Sequence, residues 1–336
     1  MTIGEQVCVI GAGSWGSALS NLLAGNGHDV NLWDRSAELL TEIQAAHENK
    51  KYLPGVPFAS SIHTYAVLPD ALSGADIVVF AVPAQRFGEV LAAALPHMKP
   101  ESIMVNVAKG IEQKSLQTPS QLSRQITKER GARHPFAVLS GPSHAEEVGR
   151  GQPTTVVAAS EDEVVAERIQ DLFMNDRFRV YTGEDVLGLE LGGALKNIIA
   201  LGAGISDGMG FGDNTKAALM TRGIAEMTRL GVRMGATPAT FAGLGGIGDL
   251  IVTCTSMHSR NRRCGILIGK GIPVADAVAQ IGMVVEGIYT AQAAYELAQN
   301  CEIEMPISEV ICKIIKGEAT PEAALTTLMT RDRKQE

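Results

Sequence analysis

Aromatic residues and positive charge are both scarce in this sequence. Aromatic side chains make up 4% of its 336 residues, which favours tight contacts between helices and sheets over an aromatic-rich binding surface. Lys and Arg number 29 against 37 Asp and Glu, so the net charge is −8. A nucleic-acid-binding protein usually presents a basic face, and the acidic balance argues against one. It does not exclude a small anionic substrate, because local charges and aligned amides decide binding in a pocket.

Cysteine is also sparse, and its spacing indicates neither a disulfide framework nor a metal site. The five cysteines are Cys8, Cys254, Cys264, Cys301 and Cys312. They include no CxxC pair, and His, Asp and Glu do not cluster at ligand spacing, so we expect no metal. An odd number of unpaired thiols is typical of a reduced compartment, where they serve as small packing groups.

A targeting or membrane segment is not apparent either. Residues 1–6 contain no Lys or Arg, and an apolar strand follows them directly, so a signal peptide is not predicted. The longest apolar stretches are interrupted before they reach the thickness of a bilayer. We therefore expect a soluble, cytoplasmic protein without membrane insertion.

Apolar runs rich in β-branched residues dominate the first half of the chain. They cover residues 7–10, 29–33, 77–82, 103–107 and 137–139. Such continuous runs are typical of strands that helices cover on both faces. Helical stretches such as residues 17–25 and 86–95 separate them, and this βαβ rhythm predicts a doubly wound parallel sheet. Two further strands, at residues 154–158 and near 178–180, are expected to extend it.

A glycine-rich turn follows the first of these strands. Gly11, Gly13 and Gly16 form a GxGxxG pattern that opens a helix. The first glycine permits the tight turn, the second lets the backbone approach a pyrophosphate, and the third allows close packing of helix on strand. Free N–H groups at the helix N-terminus then face the phosphates. Because the pattern lies between a strand and a helix, it predicts a Rossmann-type dinucleotide-binding fold.

The character of the sequence changes after about residue 184. Residues 187–230 are apolar and rich in Ala and Gly, and helical patterns dominate residues 274–280, 289–300 and 308–316. The predicted fold class is therefore α/β, with a Rossmann-type sheet domain in residues 1–184. An all-α domain in residues 185–336 is predicted to carry substrate-binding and catalytic residues. A chain of 336 residues is also long enough for two domains.

The residues that end the second strand bear on the choice of cofactor. Asp34 stands where an acid usually binds the adenosine 2′-hydroxyl of NAD, whereas Arg35 suits the 2′-phosphate of NADP. A simple salt-bridged turn is the alternative for both residues. The prediction is NAD or NADP, with NADP slightly favoured.

Lys109 follows the strand at residues 103–107. Ligands of open α/β sheets gather at the carboxyl ends of the strands. The lysine is therefore predicted to lie where a substrate meets the cofactor, and a lysine that is merely solvated is the alternative.

Six motifs occur in an order typical of one family. They are residues 11–16 (GAGSWG), 106–112 (NVAKGIE), 140–145 (SGPSHA), 195–197 (LKN), 245–250 (GGIGDL) and 259–261 (SRN). With them, the chain resembles the bacterial NAD(P)-dependent glycerol-3-phosphate dehydrogenases over nearly its whole length. The resemblance implies hydride transfer between NAD(P)H and dihydroxyacetone phosphate to give sn-glycerol 3-phosphate. It also implies a homodimer that supplies glycerophospholipid synthesis.

The resemblance assigns roles to individual residues. Lys196 is the general acid and base, and Lys109 and Asp249 complete the predicted catalytic set. The predicted substrate ligands are Lys109, Gly141, Ser143, Lys196, Asn197, Asp249, Ser259, Arg260 and Asn261. The predicted cofactor ligands are Gly11, Gly13, Ser14, Trp15, Gly16, Asp34, Arg35, Lys109, Ala145, Arg260, Val284 and Glu286.

The chemistry of Lys196 and Arg260 fits these roles. Lys196 lies in an apolar helical stretch, residues 191–202, where an unpaired ammonium is costly, so a partner or a function is expected. An ammonium polarises a carbonyl and then gives a proton to the alkoxide that hydride transfer creates. Arg260 suits a phosphate because a guanidinium holds it through two parallel N–H bonds. A solvated basic loop is the alternative, and it suits Arg262 and Arg263 better than Arg260.

Three acidic or titratable residues near these motifs leave alternatives open. Asp249 either orients Lys196 and accepts a substrate hydroxyl, or caps the helix that starts at Leu250. Glu190 is expected only to cap or pair. His144 is an alternative general base, but a hydrogen-bonded structural histidine explains it better.

Two other functions stay open at this point. A β-hydroxyacid or phosphogluconate-type dehydrogenase shares the architecture and a helix-borne lysine, but such enzymes resemble residues 245–250 and 259–261 poorly. A dinucleotide-sensing binding protein that has lost catalysis has no need of a proton donor such as Lys196. Assays of NAD(P)H oxidation with dihydroxyacetone phosphate and with a 3-keto acid separate the three.

Overall fold

Residues 4–333 and residue 335 are described by the computed structural model. The chain divides into two compact units. The sheet unit contains the chain up to Lys109 together with Thr118–Glu190, and the helical unit contains Gly110–Gln117 and the chain from Leu191 onward. The sequence pattern predicts a domain boundary after residue 184, and nothing in it indicates that residues 110–117 group with the helices.

An eight-stranded sheet forms the centre of the sheet unit. Its strands are β1 (Gln6–Ile10), β2 (Asp29–Trp33), β3 (Ile62–Tyr65), β4 (Ile77–Phe80), β5 (Ile103–Asn106), β6 (Phe136–Ser140), β7 (Thr154–Ala159) and β8 (Phe178–Gly183). They lie in the order β3-β2-β1-β4-β5-β6-β7-β8. β1 pairs in parallel with β2 on one side and β4 on the other, so the chain winds outward in both directions. The predicted doubly wound α/β fold is confirmed.

The structure corrects three details of the predicted sheet. The apolar pattern misses β3, because this edge strand is only partly buried and its sequence, Ile-His-Thr-Tyr, mixes polar and apolar residues. β7 pairs antiparallel with β6, although a parallel sheet is predicted, since an apolar run carries no information on strand direction. β4 ends at Phe80 and β5 at Asn106, short of the predicted ends at residues 82 and 107.

Helices pack on both faces of the sheet. They are α1 (Ser14–Gly25), α2 (Ala37–Ala46), α3 (Leu68–Leu72), α4 (Ala84–Ala94), α5 (Pro119–Glu129), α6 (Ala145–Gly149) and α7 (Glu163–Phe173), with a 3₁₀ turn at Leu95–His97. Successive side chains of a strand point to opposite faces. Val7 and Val9 therefore join one buried cluster, while Cys8 and Ile10 join another. Both faces are buried, which explains why β1 needs an unbroken apolar run.

Helices make up the regular structure of the remaining described chain. They are α8 (Val186–Gly208), α9 (Asp213–Arg233), α10 (Pro238–Ala242), α11 (Asp249–Thr255), α12 (Arg260–Gly269), α13 (Val274–Ile281), α14 (Glu286–Asn300), α15 (Pro306–Ile315) and α16 (Pro321–Met329). Leu244–Gly248 forms a π-helical turn directly before α11. The predicted all-α character of this part of the chain is confirmed.

The length of α8 corrects the expectation about membrane segments. With 23 residues and an apolar composition it is long enough to cross a bilayer, although the sequence pattern indicates no stretch of that length. Among the described residues it is the one such helix, and 94% of its apolar window is buried inside the protein. Burial in a protein core accounts for this composition without a membrane.

A buried carboxyl group ties the start of α8 to the start of α5. Glu190 accepts hydrogen bonds from the Ser120 backbone N–H at 2.9 Å and from the Ser120 hydroxyl at 2.5 Å. Burial raises the pKa of Glu190 to about 7, and the hydrogen bonds from Ser120 oppose the rise. The sequence-based expectation that Glu190 caps or pairs is thus correct, with Ser120 as its partner.

Glu190→Gln should make stability less dependent on pH. Because the pKa of Glu190 is higher in the folded protein, its stabilising proton is held at low pH and is lost as the pH rises through about 7. Glutamine keeps the neutral, hydrogen-bonded arrangement at every pH. The Tm of the variant should match wild type near pH 5 and exceed it by about 5 °C near pH 8. A Tm difference that stays constant between these pH values would contradict the assignment.

Candidate active site

The glycine-rich loop between β1 and α1 leaves no room for side chains at two positions. Gly11 has φ +112°, and a Cβ there would lie 2.8 Å from the carbonyl oxygen of Ala81. A Cβ on Gly16 would overlap the carbonyl oxygen of Gly11. Gly13 is the N-cap of α1, and nothing lies within 4 Å of a Cβ added to it, so this side of the loop is open. An open loop that heads a helix N-terminus fits the pyrophosphate of a dinucleotide.

Side chains from two neighbouring segments hold this loop in place. The Ala12 N–H donates to Asp34 Oδ2 at 2.9 Å, and the Ser36 N–H donates to Asp34 Oδ1 at 3.0 Å. Asn49 is fully buried, and its Nδ2 donates to the carbonyl oxygen of Ala12 at 2.8 Å. The hydroxyl of Ser14 donates to the carbonyl oxygen of Tyr52 at 2.6 Å. The sequence pattern misses Asn49 and Tyr52, because the segment that carries them matches no motif.

Arg35 and Trp15 have different surroundings at this end of the sheet unit. Arg35 is exposed between β2 and α2, and no shared hydrogen bond ties it to Asp34. Trp15 is half-buried and packs against the main core cluster. The position of Arg35 leaves its guanidinium accessible to an anionic group beside Asp34.

A second group of predicted residues meets at the carboxyl ends of β5 and β6. Asn106 shapes the turn after β5, since its side chain exchanges hydrogen bonds with both backbone groups of Ala108 at 3.1 Å. Lys109 Nζ then donates to the carbonyl oxygen of Gly141 at 2.9 Å. The hydroxyl of Ser143 donates to the same oxygen at 2.9 Å. The structure therefore brings Lys109, Gly141 and Ser143 together, which is compatible with the shared substrate role predicted for them.

Ala145 begins α6 directly after this group. It is buried in the core cluster that also contains residues of α1, so a larger side chain would disturb the helix behind the glycine-rich loop. His144 is the N-cap residue of α6. The prediction that His144 is structural is compatible with this position.

The helical unit contains a buried ion pair between Lys196 of α8 and Asp249 of α11. Lys196 Nζ lies 2.5 Å from Asp249 Oδ1, and the two side chains are 7% and 1% exposed. Lys196 Nζ also donates to Thr253 Oγ1 at 2.7 Å, and Thr253 Oγ1 donates to the carbonyl oxygen of Asp249 at 2.6 Å. The ammonium is thus held by a carboxylate and a hydroxyl, and the expected partner of Lys196 is present. A group held in this way can meet a substrate oxygen in a fixed orientation.

Thr253 is a site residue that the motif comparison misses. It lies four positions after Asp249 on α11, so both side chains occupy one face of the helix. This spacing is the signal that would have found it. The alternative role of Asp249 as a helix N-cap is wrong, because Gly248 precedes it in helical conformation and Asp249 lies in the first turn of α11.

A chain of amides joins three predicted site segments of the helical unit. Asn261 Nδ2 donates to Asn197 Oδ1 at 2.9 Å, and the Gly287 N–H donates to Asn261 Oδ1 at 2.8 Å. Gly287 directly follows Glu286, which begins α14, and Val284 is exposed just before that helix. The predicted ligands Asn197 and Asn261 therefore contact each other.

Arg260 begins α12. The structure contradicts the alternative of a solvated basic loop for its neighbours Arg262 and Arg263. The Arg262 N–H donates to Ser259 Oγ at 3.2 Å, so Ser259 caps the helix. The guanidinium of Arg262 bonds Asp207 Oδ2 through Nε at 2.9 Å and through a terminal nitrogen at 2.8 Å. A solvated basic loop is therefore wrong for Arg262 and Arg263, which lie on α12 and are half-buried.

The cysteine thiols are free and mostly buried, as the sequence predicts for small packing groups. All five cysteines are free, and four of them are buried. Burial raises the pKa of Cys254 to about 12 and that of Cys264 to about 11. Within residues 4–333 and 335, no group of three or more His, Cys, Asp or Glu side chains is placed to hold a metal ion.

Comparison with known proteins gives the family of the chain. Residues 6–166 match the family described as NAD-dependent glycerol-3-phosphate dehydrogenase N-terminus, and residues 185–326 match its C-terminus. The chain belongs to the NAD-dependent glycerol-3-phosphate dehydrogenase family. The resemblance inferred from the six motifs is confirmed, and family membership argues against the β-hydroxyacid and phosphogluconate-type alternatives.

Individual relatives span the whole chain. The Bacillus velezensis protein named glycerol-3-phosphate dehydrogenase [NAD(P)+] is 53% identical, over 99% of this chain and 96% of that protein. The Bacillus subtilis protein of the same name is 49% identical with the same coverage. The crystal structure of the Coxiella burnetii glycerol-3-phosphate dehydrogenase is similar with a TM-score of 0.93 and 37% identity, and covers 98% of this chain and 99% of that one.

Proposed function

We propose that the chain is an NAD(P)-dependent dehydrogenase that reduces dihydroxyacetone phosphate to sn-glycerol 3-phosphate. The observation that carries the proposal is the buried Lys196–Asp249–Thr253 cluster, which presents an oriented ammonium in a family of glycerol-3-phosphate dehydrogenases. A sensor without catalysis has no use for such a group, and burying an ion pair brings little stability by itself.

The proposed mechanism needs a proton donor at the substrate carbonyl. When bound, the reduced nicotinamide supplies the hydride that forms the new C–H bond at C2. Lys196 Nζ polarises the C2 carbonyl and transfers a proton to its oxygen as the carbonyl π bond breaks, leaving a neutral amine that is reprotonated from water. Asp249 and Thr253 keep Nζ in one orientation through their bonds to it. The reverse reaction uses the same amine as the base.

The phosphate of the substrate needs cationic donors, and Arg260 is proposed as the main one. A guanidinium offers two parallel N–H bonds to phosphate oxygens. Asn261 and Ser259, beside it, are proposed to support this binding. Lys109, with Gly141 and Ser143, is also proposed to bind the substrate, and Lys109 Nζ is already held in place by the carbonyl oxygen of Gly141.

Steady-state assays with dihydroxyacetone phosphate test the proposal. NADH and NADPH oxidation is followed side by side, with dihydroxyacetone phosphate and with a 3-keto acid as substrates. Oxidation that depends on dihydroxyacetone phosphate is expected. Turnover with the 3-keto acid alone would show that the substrate assignment is wrong, and binding of NADPH without turnover of either would favour a sensor.

Arg35→Ala should weaken the use of NADPH but not of NADH. The exposed guanidinium is proposed to pair with the 2′-phosphate that only NADPH carries. Loss of one exposed charge-assisted contact should raise the KM for NADPH about 10-fold and leave the KM for NADH nearly unchanged. The exposed Arg177, replaced by alanine, is the matched control. An equal rise for both coenzymes would contradict this role.

Three further properties are proposed on family resemblance alone. They are a homodimeric assembly, a cytoplasmic location and a role in supplying glycerol 3-phosphate for phospholipid synthesis. Sedimentation velocity measures the assembly state directly, and a monomer at all concentrations would remove the first of them.

A further inference from the structure

Two consecutive hydrogen bonds of the amide chain connect three predicted site segments of the helical unit. Asn197 follows Lys196, Asn261 follows Arg260, and Gly287 follows Glu286 in sequence. Asn197 and Asn261 are 4% and 8% exposed, and both hydrogen bonds of the chain are buried, with lengths of 2.9 and 2.8 Å. Together the two links fix three residues that each lie next to a proposed site residue, on α8, α12 and α14.

At Gly287, α14 lies so close to α8 and α12 that there is no room for a side chain. A Cβ added to Gly287 would lie 2.7 Å from the carbonyl oxygen of Asn197 and 2.9 Å from Oδ1 of Asn261. The first obstacle is backbone of α8, so a side-chain rotation cannot relieve it. The start of α14 reaches both asparagines only because residue 287 has no side chain.

We propose that Gly287 is a positioning residue, which lets the amide chain set the spacing between the ammonium of Lys196 and the guanidinium of Arg260. This inference rests on the proposed function. Asn197 Oδ1 and Asn261 Oδ1 and Nδ2 make the hydrogen bonds of this chain, so besides any contact with substrate these amides hold three helices in register. A substrate anchored at both its carbonyl and its phosphate depends on that spacing, whereas a substrate without phosphate does not.

The test compares two substrates on one variant. Gly287→Ala is assayed with saturating NADPH, using dihydroxyacetone phosphate and then unphosphorylated dihydroxyacetone. A displacement of about 1 Å should lower kcat/KM for the phosphorylated substrate about 100-fold, and lower it for dihydroxyacetone less than about 5-fold. Gly25→Ala is the matched control, because this glycine also lies in a helix and its added Cβ has nothing within 4 Å. The control should behave as wild type with both substrates.

The outcomes separate this inference from the function on which it depends. Equal losses for the two substrates, or no loss, would overturn the positioning role while the wild-type enzyme stays active. A wild-type protein that oxidises neither NADH nor NADPH with dihydroxyacetone phosphate would instead overturn the proposed function.

A second variant keeps the test decisive if Gly287→Ala does not fold. Asn261→Ser breaks both links without adding an atom, and it should show the same selective loss. In the double variant with Gly287→Ala, the loss should be no larger than that of the more damaging single variant, because both changes open one chain. Losses that multiply would show that the two residues act independently and would overturn the proposal.

Discussion

Replacing Lys196 by alanine should lower kcat with dihydroxyacetone phosphate by about 10²- to 10⁴-fold, the scale of a lost general acid. The ammonium is held 2.5 Å from Asp249 Oδ1 and 2.7 Å from Thr253 Oγ1, so no solvent-borne proton donor can take its place with the same orientation. Binding of NADPH, followed by fluorescence, should persist. This separation of turnover from coenzyme binding distinguishes a catalytic lysine from one that supports the fold.

The Lys196→Ala variant leaves the buried carboxylate of Asp249 without its ammonium partner, and the assay must allow for the resulting loss of stability. Asp249 is 1% exposed, and removing one partner of a buried ion pair costs about 3–5 kcal/mol of stability. The assay is therefore run well below the Tm measured for the variant. Lys216→Ala is the matched control, because Lys216 Nζ is also paired, 2.8 Å from Asp207 Oδ1, but carries no proposed role in turnover. Unchanged kcat in Lys196→Ala would remove this lysine from the mechanism.

Arg260→Ala should lower kcat/KM for dihydroxyacetone phosphate by about 10³-fold, since two charge-assisted hydrogen bonds of about 2 kcal/mol each are lost. Arg260→Lys should fall between wild type and alanine, because an ammonium keeps the charge but not the parallel pair of donors. With unphosphorylated dihydroxyacetone the alanine variant should lose little.

The control for the phosphate assignment is another arginine of the helical unit. Arg229 is exposed and donates to the carbonyl oxygen of Glu304 at 2.9 Å, and it carries no proposed role in substrate binding. Arg229→Ala should leave both substrates unaffected. Equal losses for phosphorylated and unphosphorylated substrate in Arg260→Ala would count against a phosphate contact.

Sequence pattern alone predicts the parts of this fold that depend on local chemistry. Continuous apolar runs give seven of the eight strands, because burial on both faces leaves a strong signal. The partly buried edge strand β3 leaves only a weak apolar signal, and the direction of β7 leaves no signal in the sequence. The apolar length of α8 is likewise ambiguous, since a buried core helix and a membrane helix share it.

The candidate site likewise contains residues that a local sequence pattern predicts and residues that it does not predict. The glycine-rich loop and Lys109 are predictable because each stands beside a strand in a recognisable pattern. Thr253, Asn49 and the bond between Asn197 and Asn261 are side-chain contacts between segments far apart in sequence, and no local pattern records them. The corrected surroundings of Arg262 have the same cause, since its partner Asp207 lies 55 positions away.

The two hydrogen bonds of Asp34 bear on coenzyme engineering. One carboxylate oxygen holds the Ala12 N–H of the glycine-rich loop and the other holds the Ser36 N–H at the start of α2. Exchanging this acid to favour one coenzyme would therefore loosen the loop that both coenzymes need. Arg35 makes neither bond, so a redesign of coenzyme selectivity should vary Arg35 and keep the acid before it unchanged.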